Sequence, residues 1–334
     1  DAVLREIARA LGATIPSGSE LCAALADHVG SRELLLILDN FEQAMEAADE
    51  VADLLRRCPR LRLIVTSREA LRLRGEQLLP VGPLALPDPA SGTVTAAVAA
   101  TSDAVRLFVE RAAESRPEFL LTDDNASIVA EICARLDGLP LAIELAAARL
   151  RLFSVEELRD RLGSRLDLLR GGARDLPARQ RTLRGAIEWS HDLLADDERA
   201  VFALLSVFPS ATIDAVEAVA ARLDWVADLD MIEPLESLVD KSLVRSAADG
   251  RGQRLSMLGT IRDFAAERLD ADPSRATAAR EAHAAHYAAF AAARLADVRS
   301  ERRQAALDQL SAELGNLTAA WRHFVECGDL GRLN

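Results

Sequence analysis

Residues 34–43 read LLLILDNFEQ, and this stretch decides the fold class. A run of consecutive aliphatic residues followed by Asp39 and Asn40 is typical of a buried parallel strand that ends in polar side chains. A second run, LRLIVTSRE at 61–69, indicates another strand, and an amphipathic pattern over 43–57 predicts a helix between them. Strand, helix and strand at this spacing predict a βαβ unit with a right-handed crossover.

The rest of the chain divides by composition and periodicity. A short strand-like piece is predicted at 77–81, and the Pro-, Gly-, Ser- and Ala-rich sequence after it predicts a linker. Helical patterns dominate afterwards, with Asp123 or Asp124 as an expected N-cap and Ser154 with Glu157 as a predicted capping box. Residues 242–258 predict two short strands around a turn that contains glycine. The predicted domains are an incomplete α/β parallel-sheet domain (1–87), a linker (88–101), an all-α helical domain (102–172), a winged-helix domain (173–270) and the start of an α-helical repeat region (271–334).

Charge and composition exclude several classes of protein. The net charge is −13 over 334 residues, whereas a nucleic-acid binder normally presents a basic face, so we expect no direct nucleic-acid binding by this segment. No apolar run approaches the roughly 18 residues of a membrane helix. The four cysteines have no paired spacing, so we expect neither a zinc site nor disulfides, and a cytoplasmic protein without membrane contact.

The polar residues after the two strands are the first candidates for a site. In an open α/β sheet, ligands bind outside the carboxyl ends of the strands, so Asp39 and Arg68 are expected to face one crevice. Asp39 suits Mg²⁺, usually through water, and Arg68 suits a terminal phosphate. Glu42 is close enough in sequence to orient or deprotonate an attacking water. The alternative, that Asp39 merely ends a strand, stays open.

A second group of potential ligands lies near the C-terminal end. Glu281, His283 and His286 share one face of a predicted helix. Such residues are able to bind a metal ion, but a solvated helix surface explains them better.

Five motifs resemble those of one family, in the family's order. LLLILDNFEQ resembles the Walker B strand of the STAND class of signalling ATPases, especially the NB-ARC-like modules of bacterial transcriptional regulators of the LuxR or antibiotic-regulator type. LRLIVTSREAL at 61–71 resembles their sensor-1 strand. LDGLPLAIELAAARL at 136–150 resembles their GLPL motif. RQRTLRGAIEWSHDLL at 179–194 and RLSMLGTIRDFAAERL at 254–269 resemble the entry and the end of their winged-helix domain.

This resemblance implies an ATP or ADP site that contains Mg²⁺. It implies that Asp39 is the magnesium acid, with Asn40 beside it, and that Arg68 senses the γ-phosphate. It also implies that Gly138, Leu139, Pro140 and Leu141 pack against the adenine and ribose, with Pro140 closest. The alternative is that this motif only begins a helix, since proline suits a first helical turn and glycine permits a close approach.

The chain also departs from the family's pattern. Asn40 stands where many members have a second acid, so hydrolysis is expected to be slow or to depend on Glu42. Met257, Leu258 and Gly259 stand where many members have Met-His-Asp, so that contact to ADP is not expected. No G-x-x-x-x-G-K-[ST] loop occurs, and the only lysine, Lys241, lies in DKSLV. We expect that the chain starts after this Walker A loop; a degenerate relative that never had one is the alternative.

These features predict a nucleotide-dependent signalling switch that regulates transcription through an effector domain outside this chain. The expected partners are the nucleotide, other domains of the same protein and a second copy on activation. The parent protein is expected to be a slow ATPase, and this chain alone to be inactive. The alternative function is a helical scaffold that binds no nucleotide and docks other proteins.

Overall fold

The computed structural model describes residues 2–15, 20–87, 94–162, 182–248 and 252–329. These residues form two compact units. The first contains residues 1–81 with 240–242, and the second contains 82–239 with 243–334. The predicted start of the winged-helix domain at 173 lies outside the described residues, as do the first half of the predicted linker and the tip of the predicted hairpin.

The first unit contains the predicted parallel strands. Strand β1 (Leu34–Leu38) pairs with β2 (Leu61–Val65), and the register runs from Leu34 opposite Leu61 to Leu38 opposite Val65. Helices α1 (Ala2–Leu11), α2 (Leu21–Val29) and α3 (Ala48–Arg57) accompany them. Two single 3₁₀ turns, Phe41–Gln43 and Met45–Ala47, stand between β1 and α3. The predicted strand–helix–strand order is confirmed, with a shorter helix.

The helices cover one face of this sheet. Leu34, Leu36 and Leu38 pack against a core that includes Leu25 and Leu54. Side chains alternate between the faces of a strand, and on the other face Leu35 and Ile37 are 55% and 66% exposed. The expectation of a strand buried on both faces is therefore wrong for the described residues. The structure has a small sheet of two parallel strands, which agrees only loosely with the predicted nucleotide-binding fold class.

A further local prediction also fails. Residues 77–81 were predicted to be strand-like, but they have no strand partner among the described residues, and all of them are exposed. The second unit begins just after them. Its first helix, α4 (Ala96–Ala99), lies within the stretch predicted to be a linker, and the Thr95 hydroxyl caps it by accepting from the Val98 N–H at 3.3 Å.

Before the winged helix, the described part of the second unit is mainly helical. Helices α5 (Asp103–Ser115), α6 (Asp123–Arg135), α7 (Pro140–Ala147) and α8 (Val155–Arg161) follow α4, with a 3₁₀ turn at Ala148–Arg151. Helix α8 begins with the predicted capping box, because the Ser154 hydroxyl and the Glu157 carboxylate each accept the other residue's N–H, at 3.2 and 2.9 Å.

The winged-helix region follows. Helices α9 (Leu183–Asp192), α10 (Asp196–Leu205), α11 (Ile213–Ala220) and α12 (Ile232–Asp240) precede an antiparallel hairpin of β3 (Arg245–Ala248) and β4 (Gln253–Ser256). Leu255 of β4 also exchanges two backbone hydrogen bonds with Ala211, at 2.7 and 2.9 Å. Helix α13 (Gly259–Asp270) completes the region.

Helical elements end the described chain. They are α14 (Pro273–Ala292), α15 (Leu295–Val298), α16 (Arg303–Ala312) and α17 (Leu314–Cys327). Alanines such as Ala279 and Ala284 on α14 are fully buried, and they join one apolar core that runs from α4 to Phe324 on α17. Small side chains on α14 allow neighbouring helices to pack closely, so the second unit has a continuous interior.

Candidate functional site

Polar side chains meet at the carboxyl ends of β1 and β2. Asp39 follows β1 and Thr66 follows β2, and the Thr66 N–H donates to the Leu38 carbonyl at 2.9 Å. The Thr66 hydroxyl donates to Asp39 Oδ1 and accepts from the Asn40 N–H at 3.0 Å, and Asn40 Nδ2 donates to Asp39 Oδ2 at 3.1 Å. We call Asp39, Asn40 and Thr66 the strand-end cluster. Both carboxylate oxygens of Asp39 thus accept a hydrogen bond, while the residue itself is exposed.

The backbone after β1 explains how this orientation is held. Asn40 has φ 60 and ψ 44, the left-handed region that asparagine enters more readily than most residues. This turn lets the Phe41 N–H donate to the Thr66 carbonyl at 3.0 Å, while the Phe41 ring is buried. Asn40 therefore shapes the turn that positions Asp39.

Glu42 and Arg68 contact each other. Arg68 Nε lies 3.7 Å from Glu42 Oε1, and the Glu42 side chain is only 5% exposed while that of Arg68 is 35% exposed. A nearly buried carboxylate requires a charge partner, and Arg68 supplies it. The residues predicted as a water-orienting base and a phosphate sensor thus form an ion pair with each other.

The GLPL loop (Gly138–Leu141) lies in the second unit, whereas the strand-end cluster, Glu42 and Arg68 lie in the first. Pro140 is the first residue of α7 and is exposed, and Leu139 and Leu141 are half-buried. Gly138 has φ 66, and a Cβ there would lie 2.4 Å from the Leu84 carbonyl oxygen. Glycine is therefore required for packing within this unit, and the helix-start interpretation of the motif stays open beside the adenine interpretation.

Two residues near the predicted sites were missed at the level of sequence. Thr66 directly follows a predicted strand, so its position at the end of that strand was predictable from the sequence. Its hydrogen bond to Asp39 was not predictable. Asp137 precedes Gly138, and an Asp-Gly pair is typical of a turn. Its carboxylate accepts hydrogen bonds from the Gly259 and Thr260 N–H groups, at 3.1 and 2.9 Å. No local pattern reveals a contact across that distance in the chain.

The potential metal ligands of α14 do not converge. His283 Nε2 lies 3.2 Å from Asn316 Oδ1, and burial lowers the pKa of His283 to about 4. Glu281 instead pairs with His323, at 3.1 Å. Within the ranges that the structure describes, no group of three or more His, Cys, Asp or Glu side chains is arranged to hold a metal ion.

His283 belongs to what we call the buried polar cluster, which consists of Arg254, His283, Glu313 and Asn316. Arg254 Nη1 donates to Glu313 Oε1 at 2.6 Å, and these side chains are 13% and 11% exposed. Asn316 Nδ2 donates to Glu313 Oε2 at 2.6 Å. Strand β4 of the hairpin is thereby tied to the start of α17.

The surface of the winged-helix region is acidic. Residues 194–270 contain 15 acidic and 8 basic residues. The exposed side of α12, the helix that precedes the hairpin, carries Glu233 and Glu236. Phosphate contacts require basic groups, and one of the few arginines nearby, Arg254, is held by Glu313.

Among the residues that the structure describes, no helix has both the length and the apolar character needed to cross a bilayer.

Comparison with known proteins gives the wider context. A sequence model described as "Winged helix-turn-helix domain" matches residues 194–270. This match confirms the prediction of a winged helix. Helix-turn-helix domains commonly bind DNA, so the match argues against the expectation that this segment contacts no nucleic acid. The acidic surface, by contrast, supports that expectation.

Longer relatives align with 80% to 97% of the chain. The provisionally named HTH-type transcriptional regulator Rv0890c of Mycobacterium tuberculosis is 37% identical over 326 residues, which cover 97% of this chain and 35% of the relative. The uncharacterized protein Rv0894 of the same organism is 36% identical over 80% of this chain and 65% of its own length. The regulatory protein AfsR of Streptomyces coelicolor is 31% identical over 81% of this chain and 25% of its own length.

The chain thus spans about a third of the length of the first of these relatives. The names of Rv0890c and AfsR describe transcriptional or regulatory proteins, and the matched domain is a winged helix-turn-helix. By sequence, this chain is similar to a helix-turn-helix transcriptional regulator, and its residues 194–270 match a winged helix-turn-helix domain.

Proposed function

We propose that the chain is the switch module of a nucleotide-dependent transcriptional regulator. The strand-end cluster carries this proposal, because it presents an oriented and exposed carboxylate at the sheet edge where α/β proteins bind nucleotides. The similarity to regulators supports the output, and the family motifs support ATP, ADP and Mg²⁺ as the ligands.

Each residue would have a defined role. Asp39 would hold Mg²⁺, a hard cation that prefers oxygen ligands, through water, with its orientation set by Thr66 and Asn40. Arg68 would give up its ion pair with Glu42 and bind the terminal phosphate instead. Because ADP lacks that phosphate, the exchange of partners by Arg68 would distinguish the two nucleotides, and a ligand shifts a conformational equilibrium only through such differential contacts. Gly138, Leu139, Pro140 and Leu141 would contact the adenine and ribose.

The Glu42–Arg68 ion pair also bears on hydrolysis. A base must reach the attacking water within hydrogen-bond distance, whereas the Glu42 side chain is only 5% exposed. We therefore assign Glu42 a positioning role, and we propose that nucleotide exchange, more than turnover, produces the signal.

The test uses the longest natural protein that contains this sequence, because the chain itself has no Walker A loop. Isothermal titration with ATPγS and ADP, with and without Mg²⁺, would compare the unmodified protein with Asp39→Ala. We expect Mg²⁺-dependent affinity to fall about 10- to 100-fold, the range for groups that orient a metal and its ligands. Asp49→Ala, an exposed acid on α3, is the matched control and should bind normally.

Three outcomes would each overturn a part of this proposal. Equal affinity of Asp39→Ala and Asp49→Ala for the Mg²⁺ nucleotide would remove Asp39 from the site. Micromolar ATP binding by the 334-residue chain alone would show that no separate phosphate loop is needed. Absence of all nucleotide binding in the long protein would favour the protein-docking scaffold instead.

We also infer that the winged helix of this chain does not bind DNA. The excess of acidic residues over 194–270 would repel phosphates, and Arg254 is committed to Glu313. The DNA contact of the parent regulator would then belong to a separate domain. Titration of the chain with fluorescent duplex DNA at physiological salt should show no binding. Salt-dependent binding with a Kd below about 1 μM would contradict the inference, because non-specific DNA binding at that salt is usually weaker.

A further inference from the structure

Helix α13 receives its N-terminal cap from a distant part of the chain. The Gly259 N–H donates to Asp137 Oδ1 at 3.1 Å, and the Thr260 N–H donates to Asp137 Oδ2 at 2.9 Å, over separations of 122 and 123 residues. The residue before the helix, Leu258, provides no side-chain cap. The first amides of a helix lack partners within it, and a carboxylate there is favoured by the helix dipole. Asp137 therefore acts as the cap of α13.

The loop that presents Asp137 is held tightly. Asp137 and Gly138 both have positive φ, 56 and 66. Their N–H groups donate to carbonyls at the end of α6, Asp137 to Ala134 at 3.0 Å and Gly138 to Cys133 at 3.1 Å. On the other side, the Leu84 N–H donates to the Gly138 carbonyl at 3.0 Å. Because the loop is bonded on both sides, Asp137 cannot follow α13 if that helix moves.

We propose that Asp137 is a latch between the helical region (94–162) and the winged-helix region (182–270). Its two hydrogen bonds hold the last helix of the winged helix on the loop that ends α6. Breaking them leaves α13 without a cap and allows the winged-helix region to leave the helical region. The two bonds join Asp137 to Gly259 and Thr260 and involve none of Asp39, Glu42 and Arg68, so the latch does not rest on the proposed ATP site. It lies directly before the GLPL loop, so any ligand that moves that loop would also act on the winged helix.

The latch is testable by measuring the distance between the two regions. Exposed Cys327 is first replaced by Ser. Nitroxide labels are then attached to cysteines introduced at two exposed positions, Ser127→Cys on α6 and Glu217→Cys on α11. Pulsed electron paramagnetic resonance measures the distance between the two labels. We expect one narrow distance distribution in the otherwise unmodified protein. Asp137→Ala should broaden it and add a second population. Amide hydrogen exchange at Gly259 and Thr260 should become about five- to tenfold faster, as expected for the loss of a helix cap.

Asp272→Ala is the matched control. Asp272 Oδ1 accepts from the Ser274 and Arg275 N–H groups at 3.1 and 3.2 Å, so it caps α14 with the same chemistry inside one helix. This variant should speed exchange at the start of α14 and leave the distance between the labels unchanged.

The conservative variant Asp137→Asn keeps the test decisive if Asp137→Ala does not fold. Asparagine keeps one acceptor oxygen and the shape of the side chain but lacks the charge, so the distribution should broaden to an intermediate extent. A distribution as narrow as the unmodified one in a folded Asp137→Asn or Asp137→Ala protein would overturn the latch and reduce Asp137 to a local cap.

Discussion

The strand-end cluster of the first unit and the buried polar cluster of the second contain similar groups in opposite surroundings. In the first, Asp39 and Thr66 are exposed, and the carboxylate is bonded only to neighbouring polar side chains. In the second, the Glu313 carboxylate is nearly buried and accepts from both Arg254 and Asn316. Like Glu313, Asp137 has a hydrogen-bond donor on each carboxylate oxygen, but its two donors are backbone amides.

This difference separates groups that serve the fold from groups that are available to a ligand. A carboxylate buried with a charge partner stabilises one arrangement of helices, and its loss leaves the partner uncompensated. An exposed carboxylate costs little to orient and can still bind a cation. Substitutions in the buried cluster should therefore lower stability, whereas substitution of Asp39 should alter binding with little change in stability.

The largest expected effect lies in the buried polar cluster. Glu313→Ala leaves the Arg254 guanidinium buried without its 2.6 Å partner, and we expect a loss of about 3–5 kcal/mol in the unfolding free energy of the second unit. All three tryptophans, Trp189, Trp225 and Trp321, lie in that unit, so urea unfolding followed by tryptophan fluorescence reports on it.

A surface ion pair in the same unit is the control for that measurement. Arg111 Nη1 and Glu114 Oε1 are 2.6 Å apart, but their side chains are 36% and 59% exposed. Glu114→Ala should cost less than about 1 kcal/mol. Similar losses for Glu114→Ala and Glu313→Ala would break the distinction between the exposed and buried clusters.

A pH effect should come next in size. Burial lowers the pKa of His283 to about 4, whereas an unfolded histidine titrates near 6.5. Between about pH 6.5 and pH 4, His283 is protonated in the unfolded chain but neutral in the folded chain. The free energy of unfolding therefore falls as the pH drops through this range, by a total on the order of 3 kcal/mol. His283→Gln should remove this part of the pH dependence, as measured by urea unfolding at several pH values. An unchanged slope would assign it to other groups.

A smaller effect is expected at the GLPL loop. Gly138→Ala places a Cβ 2.4 Å from the Leu84 carbonyl oxygen at φ +66, and we expect destabilisation of about 1–3 kcal/mol. Gly328 has a similar φ of +71 with no atom within 4 Å of the added Cβ, so Gly328→Ala isolates the cost of the backbone conformation. If both variants lost the same stability, the close approach of Leu84 would play no part.

Much of the local structure was predictable from the sequence. The aliphatic runs located β1 and β2, because consecutive branched and apolar residues that end in polar ones favour strands. Ser154 and Glu157 located the start of α8, since a capping box depends on residues only three positions apart. Helices followed by two short strands indicated the winged helix, which the domain match confirms. The assignment of nucleotide to Asp39 and Arg68 stays a proposal.

Other local features misled the sequence analysis where a distant contact competes with a local pattern. Asp123 or Asp124 was the expected cap of α6, but the helix begins after Thr122, whose N–H donates to Asn125 Oδ1 at 2.9 Å. Asp123 Oδ1 instead accepts from the Ala96 N–H at 2.7 Å. An acid near a helix start has several amides within reach, and the packing of α4 decided which of them it binds.

The sequence by itself determined where strands and helices form, because periodicity and capping act within a few residues. Only the tertiary structure decided which polar groups meet. It placed Thr66 on Asp39 across 27 residues and Asp137 on α13 across 122. It also left Leu35 and Ile37 exposed on one face of the sheet. Hydrogen bonds between distant segments depend on how the elements pack, and that arrangement results from the burial of the whole apolar core rather than from any single stretch of residues.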